Sequence, residues 1–167
     1  MNETRERFTA LIEAHSRAMF RAARAVLDCD ADAEDAVGEA VLLAWQAFGG
    51  LRDEGKAKSW LLKIAVNCAY TQRRRLGRVV CVDDMERVAG AAEMAEPTGL
   101  WDAVGRLPAD QRLAVTLYYY DDLPVAEIAR TLGVPQGTVK SRLSRGRARL
   151  AQLLREEDFH DLQTERI

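Results

Sequence analysis

Residues 123–150 read LPVAEIARTLGVPQGTVKSRLSRGRARL, and the fold of the second half of the chain is decided here. Val125, Ile128, Ala129 and Leu132 recur at helical spacing on one side of a short segment. Gly133-Val134-Pro135 then interrupts it, because Gly adopts backbone angles other residues avoid and Pro suits a helix start better than a helix interior. A longer segment follows, with Val139, Leu143, Leu150 and Leu154 as its apolar side. A short helix, a tight turn and a second helix rich in Thr, Lys, Ser and Arg form the pattern of a helix-turn-helix. Between Ile128 and Arg155 stand seven bases (Arg130, Lys140, Arg142, Arg145, Arg147, Arg149, Arg155) and no acid. An apolar side with an acid-free basic remainder suits a phosphate backbone. Such helix pairs also occur in proteins that never touch DNA, and the segment alone identifies no base sequence.

The rest of the chain shows the same segregation of charge. The 167 residues are enough for one ordinary domain or two small ones. With 48% apolar and 30% charged residues the composition is that of a folded protein. The formal net charge of -2 conceals opposed blocks. Residues 28–39 hold six acids and no base, 56–80 seven bases and no acid, and 81–104 six acids and one base. Blocks of this kind suit different partners on different faces, or faces that screen one another. Cys29, Cys68 and Cys81 are odd in number and widely spaced, which is not a disulfide framework. The start, MNETRERF, has no apolar core of a secretory signal, and no run is apolar enough for a membrane helix. The expectation is a cytoplasmic protein with reduced thiols and no membrane insertion.

Upstream of the helix-turn-helix, apolar spacing predicts a helix over 5–27, with His15 on its inward side, and a second from about 30 to Phe48. Asp30 or Asp32 is the expected cap of the second helix, and Val37, Ala40, Val41, Ala44, Trp45 and Phe48 its inward side. Gly49-Gly50 ends it, residues 51–58 read as a polar loop, and Ser59 is the expected cap of a third helix from Trp60 to about Leu76. Trp60, Leu61, Ile64, Ala65 and Cys68 fall on its buried side, with Lys63, Asn67, Gln72 and Arg74 around the other. From Val79 to Trp101 no helical stripe is sustained, so a domain boundary is placed there, with VVCV a short strand at most. Leu113, Leu117 and Tyr120 mark a further helix ending at Asp121-Asp122, and the acidic last residues fray from the long helix. The fold class expected is all-α: two small helical domains joined by a flexible acidic linker, the second carrying the helix-turn-helix. The boundaries are 1–80, linker 81–101, 102–160 and a tail 161–167.

No constellation supports catalysis. His15 and His160 are the only histidines, and no Cys/His spacing resembles a zinc site. The acids of 28–35 lack the glycine and closing Glu of a calcium loop, and there is no phosphate-binding glycine loop or nucleophile elbow. A non-enzyme with no cofactor and no metal is expected.

Three phrases together resemble one family: DAEDAVGEAVLLAWQAF at 32–48, SWLLKIAVNCAYTQRRR at 59–75, and the stretch quoted first, preceded by LPADQRLAVTLYYYDDL. In this order the chain resembles small bacterial sigma factors of the sigma-70 superfamily, the extracytoplasmic-function (ECF) group. Its first half is similar to region two and its second to region four. The resemblance implies a subunit that lends promoter specificity to core RNA polymerase and helps open the promoter, the polymerisation chemistry belonging to the core. It implies that the second helix docks on the clamp coiled coil of the largest core subunit, with Glu34, Asp35, Glu39 and Gln46 as exposed contacts. The family commonly has Gln, Thr and Phe where Gly38, Ala40 and Val41 stand, and Gly38 inside a helix costs about 1 kcal/mol relative to Ala.

By the same resemblance, Lys56, Lys58, Lys63, Asn67, Arg73, Arg74 and Arg75 bind the melted minus-ten element. Asn67 can both donate and accept and so read a base edge, while the arginines hold phosphates. Trp60 is either core or a stacking wedge. Gln136, Gly137, Thr138, Lys140, Ser141, Arg142 and Arg145 are the implied contacts to minus-thirty-five duplex DNA in the major groove. The helix at about 108–120 is expected to meet the flap of the second-largest core subunit. Control in trans by an anti-sigma factor is expected, with the two domains flexibly related when free. The competing readings are a helix-turn-helix activator that leaves the resident sigma factor in place, and a non-initiating sigma-like interaction protein.

Overall fold

The computed structural model describes residues 2–77 and 99–164. Among these residues there are seven α-helices and no strand, in the all-α class expected. The first three, α1 (Asn2–Val26), α2 (Asp30–Ala47) and α3 (Ala57–Leu76), pack on one another. The other four are α4 (Gly99–Gly105), α5 (Ala109–Val115), α6 (Val125–Leu132) and α7 (Gln136–Thr164). Helix α4 begins inside the stretch read from sequence as linker, and α7 runs into the stretch read as tail. The VVCV run, Cys81 and most of the linker lie outside the described residues.

Helix α2 meets the others along a seam of Ala33, Ala36, Ala40 and Ala44, all fully buried. Small side chains at this spacing let helix axes approach closely, so α2 is held by its alanines. Trp45 is correspondingly not inside. It stands 44% exposed, and Val37 and Val41 are half-buried, where periodicity predicts all three inward. Phe8 of α1 fills the end of the seam, edge-on to Trp45 at 5.0 Å and to Phe48 at 5.2 Å.

Two capping expectations are corrected. The N-cap position of α2 is Cys29, with no side-chain cap bond. Asp30 instead pairs with Arg24 at 2.9 Å, and Arg24 also donates to the Leu27 carbonyl at 2.7 Å, which ties the end of α1 to the start of α2. The pairing sets a cation at one helix C-terminus and an anion at the next N-terminus, as both dipoles favour. Ser59 is likewise inside α3, which starts at Ala57; its hydroxyl donates to the Lys56 carbonyl at 3.1 Å. Within residues 51–58 the chain forms a 3-10 turn at Glu54–Lys56, where the Asp53 carboxylate accepts from the Gly55 amide at 2.9 Å. Gln72 is not a free surface amide, since it donates to the Asp32 carbonyl at 3.0 Å.

The helix-turn-helix is formed as read. Gly133 ends α6 at φ +65°, a left-handed conformation that glycine adopts without a Cβ clash. Val139 and Leu143 are buried as the packing seam of α7. Helix α7 lies so close to α5 that a Cβ on Gly146 would stand 2.8 Å from Val115 Cγ2. Between α5 and α6 the chain makes a π-helical turn at Thr116–Tyr120, then Asp121, then Asp122 at φ +54°.

The two groups of helices pack against each other through one continuous core, α5 against α1 and α6 against α3. Arg21 of α1 reaches Asp121 at 2.7 Å, and Arg112 of α5 donates to the Ala25 carbonyl at 2.6 Å.

Candidate nucleic-acid and polymerase interfaces

Helix α3 carries most of the residues read as minus-ten contacts, and its geometry sorts them. At about 100° per residue, Lys63, Asn67 and Arg74 fall within about 40° of one another. All three are exposed and form one strip. Lys56 is exposed in the turn just before the helix. The Thr71 hydroxyl donates to the Asn67 carbonyl at 2.9 Å and accepts from Arg74 at 3.2 Å, which holds Arg74 beside Asn67. Arg73, Arg74 and Arg75 all sit in the last turn, where the helix dipole favours cations.

The remaining three point elsewhere. Lys58 lies roughly opposite the strip and is half-buried, near His15 and Asp121. Burial, and then Lys58, hold the His15 imidazole below its usual range. Arg73 is exposed but faces Arg112 of the second group. Arg75 turns toward Glu39 of α2, at 3.9 Å. The seven residues therefore make no single pocket.

Between α2 and α3 runs an open groove of about 550 Å³, lined by Glu39, Leu43 and Gln46 from one side and Trp60, Ile64 and Asn67 from the other. It brings together residues assigned from sequence to two tasks, polymerase docking and minus-ten reading. Trp60 is half-buried, at once part of the packing and part of the groove wall. Cys68 also lines the groove, but burial pushes its thiol up, which leaves it a poor nucleophile. Beyond the groove, α2 presents Leu42, Leu43 and Trp45 to solvent, with Glu34 and Asp35 exposed near its start. This apolar edge is not among the docking residues read from sequence. The signal available is the alanine seam, whose phase places Leu42 and Trp45 outward and Leu43 on its flank.

On α7, Gln136, Gly137, Lys140 and Arg145 are exposed, and Thr138 and Ser141 are half-buried along the same helix. Arg142 leans back toward α5, its Nε 3.8 Å from Asp110. Arg147 donates to the Tyr119 hydroxyl at 3.1 Å, so it braces α7 against the π turn. Among the described residues no group of His, Cys, Asp and Glu is placed to hold a metal ion. No helix among them is long and apolar enough to cross a membrane.

Comparison with known proteins agrees with this division of the chain. Residues 11–79 match the family model for sigma-70 region 2, and residues 99–150 that for sigma-70 region 4. The chain is 37% identical to the ECF RNA polymerase sigma factor SigM of Mycobacterium tuberculosis, over 88% of this chain and 76% of the relative. It is 32% identical to the ECF RNA polymerase sigma-E factor of Escherichia coli, over 70% of each. Among solved structures, it superposes with a TM-score of 0.73 and 28% identity on the sigma factor RpoE of Bartonella quintana, solved in complex with the anti-sigma factor NepR. That match covers 90% of this chain and 98% of the other. With both regions present in order on this fold, the chain belongs to the ECF sigma factors of the sigma-70 family.

Proposed function

We propose that this chain is a sigma subunit that directs core RNA polymerase to specific promoters and assists their opening, supplying specificity while the core supplies catalysis. The observation that carries the reading is the pairing, in one chain, of a helix-turn-helix with an acid-free recognition segment and a three-helix unit whose α3 strip lies beside an exposed apolar edge of α2.

The division of labour follows from the chemistry of each surface. Gln136, Thr138, Lys140, Ser141 and Arg145 approach minus-thirty-five duplex DNA, with Gly137 allowing close approach to the backbone. Arg pairs with guanine edges or phosphates, and Gln with adenine edges. Arg142 joins them once it leaves Asp110. Lys56, Lys63 and Arg74 hold the phosphates of the melted minus-ten strand, and Asn67 reads a base edge beside the Trp60 ring. Arg73 and Arg75 add positive charge beside this strip in the last turn of α3, while Lys58 stands on the opposite side of the helix. Leu42, Leu43 and Trp45, flanked by Glu34, Asp35, Glu39 and Gln46, dock the core. An anti-sigma factor is the expected partner that withholds these surfaces.

The test is transcription with purified core polymerase, this protein and a pooled library of genomic promoter fragments, with transcript starts mapped and core alone as control. Discrete starts sharing two upstream elements support the reading. Duplex binding without dependent transcripts favours an activator, and core binding without initiation favours a non-initiating interaction protein.

A further inference from the structure

The turn that leads into α3 carries two acids, Asp53 and Glu54, between the cations Arg52 and Lys56. Acids at this place repel a nucleic-acid strand unless something occupies them, and each has a partner. The Asp53 carboxylate accepts from the Gly55 amide at 2.9 Å, and the Asp53 carbonyl accepts from the Lys56 amide at 3.1 Å. Asp53 thus closes the turn on itself. Glu54 is taken up by a different helix. Arg7 of α1 donates to the Glu54 carboxylate from Nε, at 3.2 Å, and from Nη2 as well. The neighbouring Phe8 is buried edge-on to Trp45 and Phe48, which fixes this end of α1 against the end of α2 and sets Arg7 beside the turn.

The turn matters because of Lys56. It is exposed and occupies the N-cap position of α3. Counted back at about 100° per residue, it falls within about 20° of Lys63 in phase. Lys56 therefore heads the strip of Lys63, Asn67 and Arg74, and Glu54 stands two residues before it. A bare carboxylate there opposes the phosphates that the strip attracts, whereas a carboxylate paired with a guanidinium presents little net charge beyond the pair. The pair adds little to stability, since the Arg7 and Glu54 side chains are 57% and 61% exposed. Its effect falls on whatever charge approaches the turn.

We propose that Arg7 is a positioning residue of the minus-ten site: by pairing with Glu54 it masks the one acid of the turn that Asp53's local bonds leave open, so that Lys56 meets the strand without a bare carboxylate beside it. Helix α1 thereby belongs to the site and acts through Glu54 without reading a base. The inference rests on the minus-ten reading of the α3 strip, and the experiment separates the two.

The experiment uses the full-length protein bound to core polymerase, with core alone as background. The probe is fluorescein-labelled short single-stranded DNA of random sequence, its affinity read by anisotropy and its bound fraction sequenced. Arg7→Gln should weaken binding about threefold at low salt, and less as salt screens the exposed charge. Its denaturant midpoint and the bases it enriches should match wild type, because Arg7 supports neither the core nor a base contact. Glu54→Gln should bind at least as tightly as wild type. Adding Glu54→Gln to Arg7→Gln should restore wild-type affinity, since the charge that Arg7 masks is then gone; loss of a merely structural brace would not be repaired in this way. Asn67→Ala, by contrast, should change the bases enriched. Arg7→Gln binding as tightly as wild type overturns the proposal and leaves the minus-ten reading standing. A loss that Glu54→Gln does not restore makes Arg7 a direct phosphate contact and overturns the masking role. A wild type that adds no single-strand binding to core overturns the minus-ten reading and the proposal together.

Discussion

Two glycines inside helices have opposite physical meanings. A Cβ on Gly38 would meet nothing within 4 Å, so the residue weakens α2 without serving any packing contact. Gly38→Ala should stabilise the protein by about 1 kcal/mol, read as a rise in denaturant midpoint at unchanged slope. Gly146 is the reverse case, because an added Cβ would meet Val115, which is itself buried and β-branched. Gly146→Ala should destabilise by about 1–2 kcal/mol despite its better helix propensity. It should weaken duplex binding as well, since α7 is displaced from α5. A midpoint unchanged or raised would show that Val115 can yield. Among the basic residues, Lys140→Ala and Arg145→Ala should each lower duplex affinity and reduce the salt slope by about one unit for every phosphate left without its cation. Asn67→Ala should leave duplex binding intact and impair opening or minus-ten preference.

The element with the sharpest division of labour is α2. Its alanine seam supplies the packing, so its large apolar residues are left for a partner. Leu42, at 65% exposed, has little to lose in the free protein. Leu42→Asp should change stability by less than about 0.5 kcal/mol, as surface substitutions do. It should also weaken core binding about tenfold or more, because a charge at an apolar contact is desolvated without a partner. Equal core affinity for this variant would move the docking contact to the acidic residues alone. Trp45 is a poorer probe, since its ring also packs on Phe8.

For the whole molecule, stability is coupled to pH through Asp121. Burial, outweighing the Arg21 hydrogen bond and charge, pushes the Asp121 carboxyl up to about 6. A carboxyl exposed to water titrates near 3.9, roughly two units lower. Between these values the folded state binds more protons than the unfolded one. The contribution to stability is therefore full below about 4 and lost as pH rises through about 6. Going from about pH 7.5 to 5.5 should favour the folded form about fourfold through this group. His15, whose imidazole is held low, acts in the opposite direction on the stability of its own surroundings. Comparing wild type with Asp121→Asn isolates the effect: an acid-induced gain in stability, read as a rise in denaturant midpoint, should be present in the first and absent in the second. An equal gain in both would assign it to another group.

The helices, the helix-turn-helix and the family are all legible in the amino-acid order. These depend on short-range physics: apolar spacing, a left-handed glycine at Gly133 and a proline just after it set local conformation wherever the chain folds. The residues exposed on α7 are legible in the same way, since Val139 and Leu143 fix the buried phase of that helix. That Trp45 faces solvent emerges only from packing, because hydrophobicity favours burial while the alanine seam claims the interior side of α2. Capping at Asp30 and Ser59 fails for a related reason. Each has a better partner supplied by the fold or by an earlier helix start, Arg24 in the first case and the Lys56 carbonyl in the second. The division of the α3 basic residues, and the joining of Glu39, Gln46 and Asn67 in one groove, require the packing of α2 on α3. Above all, the pairing of Arg21 with Asp121 joins residues 100 positions apart in sequence. Each reads locally as an ordinary surface charge, and only the closing of one helical group on the other buries the acid and gives it a partner.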